Sequence, residues 1–189
     1  KVMDTCRRLG ILRVVYASTC HVYGVPRYLP VTEEHPTSPL SVYAASKLAG
    51  EAVVQGYANS YGILCDIARL SNLYGASFGK ETVIGQALNQ VISGEPISLH
   101  SLSPIRDFIH ADDVVEALVR LAAAGEGNSG CRSVNVSTGQ GISIQEMAQT
   151  LVGVASAGGL GAAEVLQTGD GRGDAVAELV LDNSRLQVL

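Results

Sequence analysis

Short apolar runs alternate along this chain with stretches whose apolar positions recur every three or four residues. "ILRVVYAS" (11–18) is rich in branched residues and bounded by small polar ones, the pattern of a buried parallel strand. "ILCDIARL" (63–70) repeats it. "PISLH" (96–100), "RDFIH" (106–110), "RSVNVS" (132–137) and "AEVLQT" (163–168) predict further, shorter strands. The helical patterns fall between them. "VMDTCRRLG" reads as the last turns of a helix with Val2, Cys6 and Leu9 on one face and Gly10 as its stop. Val42 to about Tyr61 is a helix ended by Gly62, and Thr82 to Ile92 is one closed by Gly94. "ADDVVEALVRLAAA" carries acidic residues in its first turn, where the helix dipole favours them. "SIQEMAQTLVGVAS" opens with Ser143 and Glu146 in capping-box spacing, and "LDNSRLQVL" opens a last helix. The four prolines of "VPRYLPVTEEHPTSPLS" (25–41) rule out a helix there, and "SNLYGASFGKE" (71–81) reads as loop. Alternation of strands and helices predicts an α/β fold with a mainly parallel sheet.

Composition narrows the class. With 189 residues, 47% of them hydrophobic and 16% charged, the chain can bury a sizeable core. Its formal net charge of −5, without a basic run, argues against nucleic acid or an anionic membrane as partner. No apolar run is long enough to span a bilayer, and the N-terminal stretch lacks a signal-peptide core. Cys6, Cys20, Cys65 and Cys131 are far apart, so they read as buried or half-buried residues of a reducing compartment, and the expected location is cytoplasmic. Lys1 in place of methionine and a helix already under way suggest an internal piece of a longer protein, cut at both ends.

The candidate chemistry begins in "SVYAASKLAGE" (41–51). Tyr43 and Lys47 lie four residues apart, on one face of the predicted helix. A free tyrosine titrates near pH ~10, and a nearby ammonium favours the phenolate. The pair therefore suits a general acid/base for interconverting a hydroxyl and a ketone. Upstream, Ser18 and Thr19 follow directly on a buried strand, at the end where open α/β sheets bind ligands. A hydroxyl there can bond the same substrate oxygen. The glycines around 158–161 follow a helix and precede a strand, the reverse of a dinucleotide loop, and read as a turn.

In order along the chain, "STCHVYG", "TEEHPTSPLSVYAASKLAGE", "ARLSNLYG", "RDFIHADDVVEAL", "VNVSTGQGISIQEMAQTL" and "GRGDAVAELVLDNSRL" resemble segments of the extended short-chain dehydrogenase/reductase family, its NAD-dependent epimerase/dehydratase branch. The resemblance implies the C-terminal part of a Rossmann-like doubly wound parallel sheet plus a small α/β substrate-binding region. Residues 1–75 would be the second half of the NAD(P)-binding domain with the catalytic Tyr and Lys. Residues 76–189 would form the substrate region, with elements returning to the Rossmann core. It implies NAD as cofactor, with NADP left open, and a nucleotide-diphosphate sugar as substrate, with a homodimer among the assemblies open to it. Tyr43 would be the acid/base, Lys47 would lower its pKa and bond the nicotinamide ribose, and Thr19 would hold the reacting sugar oxygen. Ser18 would lie beside the cofactor. Asn72 and Arg106 would meet the diphosphate, and Arg172 and Asp174 the diphosphate and nucleoside. The implied reaction is 4-epimerisation through a 4-keto sugar.

Two departures qualify the resemblance. The family's glycine-rich phosphate loop has no counterpart here, so the fragment alone is expected to bind dinucleotide poorly and to leave apolar sheet edges. Dehydratase relatives often carry acidic residues where this chain has Cys20 and His21, which disfavours dehydration while leaving His21 as an alternative acid/base. A 4-keto-sugar reductase, a dehydratase, a hydroxysteroid-type dehydrogenase and a non-catalytic binding protein on this fold stay open as alternatives. His110 is expected to make a structural hydrogen bond, and Asp112 and Asp113 to be first-turn helix residues, with no metal site. Glu33 and Glu34 are expected to be solvated, and His35 and His100 have no partner readable from the sequence.

Overall fold

The chain's organisation follows from where its apolar runs end. In a computed structural model, residues 1–75, 79, 81–124, 130–160, 164–170 and 175–188 are described. Helix α1 (Val2–Arg8) leads into β1 (Arg13–Thr19), a 3-10 turn (Cys20–Tyr23), the proline-rich loop and α2 (Val42–Tyr61). Then come β2 (Leu64–Leu70), β3 (Asn72–Tyr74), α3 (Val83–Ile92), β4 (Ile97–Leu99), β5 (Ile105–His110) and α4 (Ala111–Ala123). The chain closes with β6 (Cys131–Val136), β7 (Gly141–Ser143), α5 (Ile144–Ala157), β8 (Val165–Gln167), β9 (Glu178–Leu179) and α6 (Ser184–Gln187).

β1, β2 and β6 form a parallel sheet in that order, with Ser18 beside Arg69 and Arg69 beside Asn135. β2 is buried along its middle because both its faces are covered. One face, with Cys65 and Ile67, packs on Met3 of α1 and Val54 and Ala58 of α2. The other, with Ala68, packs on Val114, Ala117 and Leu121 of α4. β5 organises a second sheet, parallel to β3 and β9 and antiparallel to β7. A third cluster joins α3, β4 and α5, and β4 pairs with β8. The expected mixed α/β class with parallel pairing is what the chain adopts.

Local signals fix the ends of α2. Ser41 Oγ accepts from Ala44 N at 3.1 Å, and Gly62 closes the helix in the left-handed conformation. The capping box of Ser143 and Glu146 forms as the spacing predicts. Gly56 of α2 faces open space. Gly56→Ala is expected to raise stability by about 0.5–1 kcal/mol in chemical denaturation, because Ala loses less backbone freedom on entering a helix. A loss of stability would show that this face is already in contact.

Three expectations change. Val2 and Leu9 are 75% and 71% exposed, and Met3 is the residue of α1 that enters the core. Residues 72–74, expected as loop, pair with β5 as β3, and the unanticipated β7 and β9 also pair with it. These strands are two or three residues long, too short to show an alternation. Glu33 is buried, and only Glu34 is exposed.

Candidate active site

At the carboxyl ends of β1 and β2 a cleft of about 400 Å³ opens. Thr19, His21, Tyr43, Lys47, Asn72 and Phe108 are among its lining residues. The position follows from the fold: parallel strands end there and the chain turns away on both sides, leaving a crevice. A second compartment of about 300 Å³ adjoins it. His21, Asn72, Val83 and Phe108 line both, while Arg106, His100, Ser101 and Gln86 belong to the second.

Tyr43 lies in the first turn of α2 and is 54% exposed, so its phenol is accessible from the cleft. One turn on, Lys47 Nζ donates to the carbonyl of Ala17 at 3.0 Å. That bond holds the ammonium 6.0 Å from the centre of the Tyr43 ring and 5.6 Å from that of Tyr16. Tyr16 in turn donates its hydroxyl to the Lys47 carbonyl at 3.3 Å. Thr19 is buried at the strand end, and its Oγ1 accepts from His21 N at 3.3 Å, capping the 3-10 turn. Cys20 beside it is 1% exposed, and burial pushes its thiol up to about 12, which removes it as a proton donor. His21 is the exposed member of that pair.

The other expected residues divide. Asn72 Nδ2 donates to the carbonyl of Asp107 at 3.1 Å, and the residue reaches both compartments. Arg106 lines the second compartment, and its guanidinium donates to the carbonyls of Ile105 and Val176, each at 2.8 Å. Ser18, expected beside the cofactor, lines the cleft and donates its hydroxyl to Glu51 Oε1 at 2.5 Å. Arg172 and Asp174 lie outside the described residues. His110 caps α4 through Nδ1, which accepts from Asp112 N at 3.2 Å, and Asp112 and Asp113 sit in that helix's first turn. His35, which had no readable partner, is buried: Nε2 accepts from Arg27 N at 2.9 Å and Nδ1 meets the Pro36 carbonyl at 2.7 Å.

Sequence reasoning missed the buried acids that hold this end of the sheet. Asp107 is fully buried, and its carboxylate accepts from Thr138 N, Thr138 Oγ1 and Gly139 N at 2.8–3.0 Å. It thereby fixes the strand that carries Arg106 and receives Asn72. Glu51 is 4% exposed and takes two bonds from Arg69, at 3.2 and 2.7 Å. The readable signal was charge inside an apolar strand: "ILCDIARL" holds Asp66 and Arg69, and each needs a buried partner. No group of three or more metal-ligating side chains is found, and no helix is long and apolar enough to cross a membrane, among the described residues.

Known proteins resemble this chain in sequence and fold. Residues 1–137 match the model of the family described as NAD dependent epimerase/dehydratase. UDP-glucose 4-epimerase of Mycolicibacterium smegmatis is 32% identical over 162 residues, covering 83% of this chain and 51% of that protein. The dTDP-D-glucose 4,6-dehydratase of Mus musculus is 31% identical over 152 residues, covering 80% of this chain and 42% of that one. The solved structure of MoeE5 with UDP-glucose and NAD superposes with a TM-score of 0.85 at 28% identity, over 100% of this chain and 61% of its own. The chain spans about half the length of the curated relatives it matches.

Proposed function

Because the chain belongs to the NAD-dependent epimerase/dehydratase family, we propose that it carries the proton-transfer centre of a nucleotide-diphosphate-sugar 4-epimerase. The observation that carries this reading is the convergence of Tyr43, Lys47 and Thr19, from a helix and a strand end, on one cleft. The residues present suit the nicotinamide end of NAD: the cleft lies where α/β sheets bind ligands, with a phenol and an ammonium on its wall. Tyr43 and Lys47 would hold the cofactor there. The chemistry supplied by bound NAD is removal of hydride from C4 of the sugar and its return to the opposite face.

In this reading the Tyr43 oxygen takes the proton from the C4 hydroxyl and gives it back after the 4-keto sugar has turned over. The Lys47 ammonium, anchored on Ala17, supplies positive charge beside the phenolate form of Tyr43 that takes this proton. Thr19 donates its hydroxyl to the same sugar oxygen and fixes its direction. Asn72 and Arg106 favour the adjoining compartment for the diphosphate, since an amide and a guanidinium are strong donors to phosphate oxygens. Arg172 and Asp174 are proposed to complete the nucleotide end.

A second reading rests on His21, an exposed imidazole that lines both compartments. Its ordinary pKa lies near neutrality, so it can move a proton at a second sugar carbon in a dehydratase-like reaction. The mouse relative keeps that reaction class in view. One assay separates the readings. The full-length protein with NAD is incubated with UDP-glucose or dTDP-glucose in deuterated water. Interconversion of C4 epimers without deuterium at C5 supports the first reading. Loss of water with deuterium uptake sinks it in favour of the second, and stoichiometric consumption of added NADPH in a parallel incubation would instead select a reductase.

A further inference from the structure

A row of polar side chains crosses the sheet from Ser18, which lines the cleft, into the core. Ser18, Arg69 and Asn135 are register partners on β1, β2 and β6, and all three are at least nine-tenths buried. They face α2, on the side where Val14, Tyr16, Cys65 and Ile67 pack. The helix answers with one carboxylate. Glu51 lies eight residues after Tyr43 and four after Lys47, so the three share a stripe on α2. Glu51 Oε1 accepts from Ser18 Oγ at 2.5 Å and from Arg69 Nε at 3.2 Å, and Oε2 accepts from Arg69 Nη2 at 2.7 Å. Arg69 Nη1 donates to the Tyr23 hydroxyl at 3.0 Å, which donates to Asn135 Oδ1 at 2.7 Å. Burial works against the charge of Arg69, but its bonds to Glu51 and Tyr23 outweigh that and raise its pKa. Every member is therefore satisfied, and each bond is directional.

The consequence is geometric. Ser18 is the residue before Thr19, and Glu51 is two turns below Tyr43. A single carboxylate thus fixes the axial position of the helix that carries Tyr43 against the strand that carries Thr19. Contacts nearer the cleft are weaker holds: Lys47 Nζ to Ala17 O at 3.0 Å and Tyr16 hydroxyl to Lys47 O at 3.3 Å. Gly50 leaves the room they need, since a Cβ there would lie 2.0 Å from the Tyr16 hydroxyl.

We propose that Glu51, gripped by Ser18 and Arg69, is a positioning residue that sets the spacing between Tyr43 and Thr19 for proton transfer. Glu51 is buried and is not among the residues that line the cleft. A misplacement of about 1 Å costs up to about 100-fold in rate, so a helix no longer locked at Glu51 loses turnover before it loses binding. The inference rests on Tyr43 being the acid/base.

The test uses the full-length protein with NAD, in two variants beside Tyr43→Phe. Glu51→Gln keeps the side-chain shape and an acceptor for Ser18 but weakens the hold of Arg69. Glu51→Leu with Arg69→Met removes both charges, which preserves stability where a lone buried charge would not. In Glu51→Gln we expect kcat to fall about 10-fold or more with KM within about threefold. Amide hydrogen exchange should quicken over residues 42–51 and stay unchanged in β2. The double variant should keep the wild-type melting temperature and a low kcat. A kcat within twofold of wild type in either folded variant, while Tyr43→Phe is inactive, overturns the positioning role. Equal loss of kcat and melting temperature in Glu51→Gln, with exchange faster throughout, would mean a purely structural role. Full activity in Tyr43→Phe would instead remove the reading beneath it.

Discussion

Tyr43→Phe is expected to lower kcat of the full-length protein by about 1,000-fold, with KM for the nucleotide sugar changed by less than about threefold. The ring remains and the phenol goes, so the variant deletes the proton acceptor without opening a cavity. Tyr43 is 54% exposed, and its hydroxyl anchors no other element among the described hydrogen bonds. Its stability should therefore stay within about 0.5 kcal/mol of wild type. The split between the two kinetic constants is informative, because a group used only in the transition state appears in kcat. Steady-state kinetics and a melting curve on the same preparation suffice. Turnover retained within about tenfold would take Tyr43 out of the mechanism.

The second large effect is structural. Gly24→Ala is expected to destabilise the chain by about 3–5 kcal/mol, read as a lowered midpoint in urea. Gly24 closes the 3-10 turn at φ 68 and ψ −135, a conformation L side chains avoid. A Cβ there would lie 2.0 Å from the Ser38 carbonyl oxygen, a backbone atom held close because Ser38 N donates to Val22 O at 2.9 Å. Strain and clash therefore add, and neither can be relieved by a side-chain rotation. Gly62 gives the comparison: it is left-handed at φ 68 and ψ 18 but faces open space. Alanine there meets only the left-handed cost of about 1–2 kcal/mol. Equal losses at the two glycines would refute the clash. The turn that Gly24 closes begins at Thr19, so misfolding here reaches the cleft directly.

Much of the site was readable because its signals are local. Tyr43 and Lys47 share a helix face and Thr19 follows an apolar strand, and the resemblance of the ordered segments around them is what singles them out. Ser143 with Glu146 could be read as a cap from four letters. What stayed hidden depends on distant residues. Nothing local reveals that Glu51, 33 residues on, takes the hydroxyl of Ser18. Glu33 was read as solvated from its proline-rich surroundings. Its carboxylate in fact accepts from Asn135 N at 2.9 Å and pairs with Arg185. The hold on Arg106 is equally distant: the segment that leads into β9 brings the Val176 carbonyl to its guanidinium. Strands of two or three residues carry no period, so β3, β7 and β9 are visible only through their pairing with β5.

The proline-rich loop has its last partners at the far end of the chain. Val31 forms a parallel bridge with Leu181, Val31 N donates to Val180 O, and Asp182 N donates to Val31 O. Asn135 Nδ2 spans the two segments by donating to Val31 O and Asp182 O. On a ribosome, β1, α2 and β2 can meet soon after they emerge. The loop between them must wait for roughly 150 further residues, about 8–30 s at about 5–20 residues per second. Through that interval the wall of the cleft is incomplete and apolar side chains such as Val22 and Val31 lack their cover. The wall of the cleft is thus among the last parts of the chain to consolidate, which makes it a natural client for chaperones during translation.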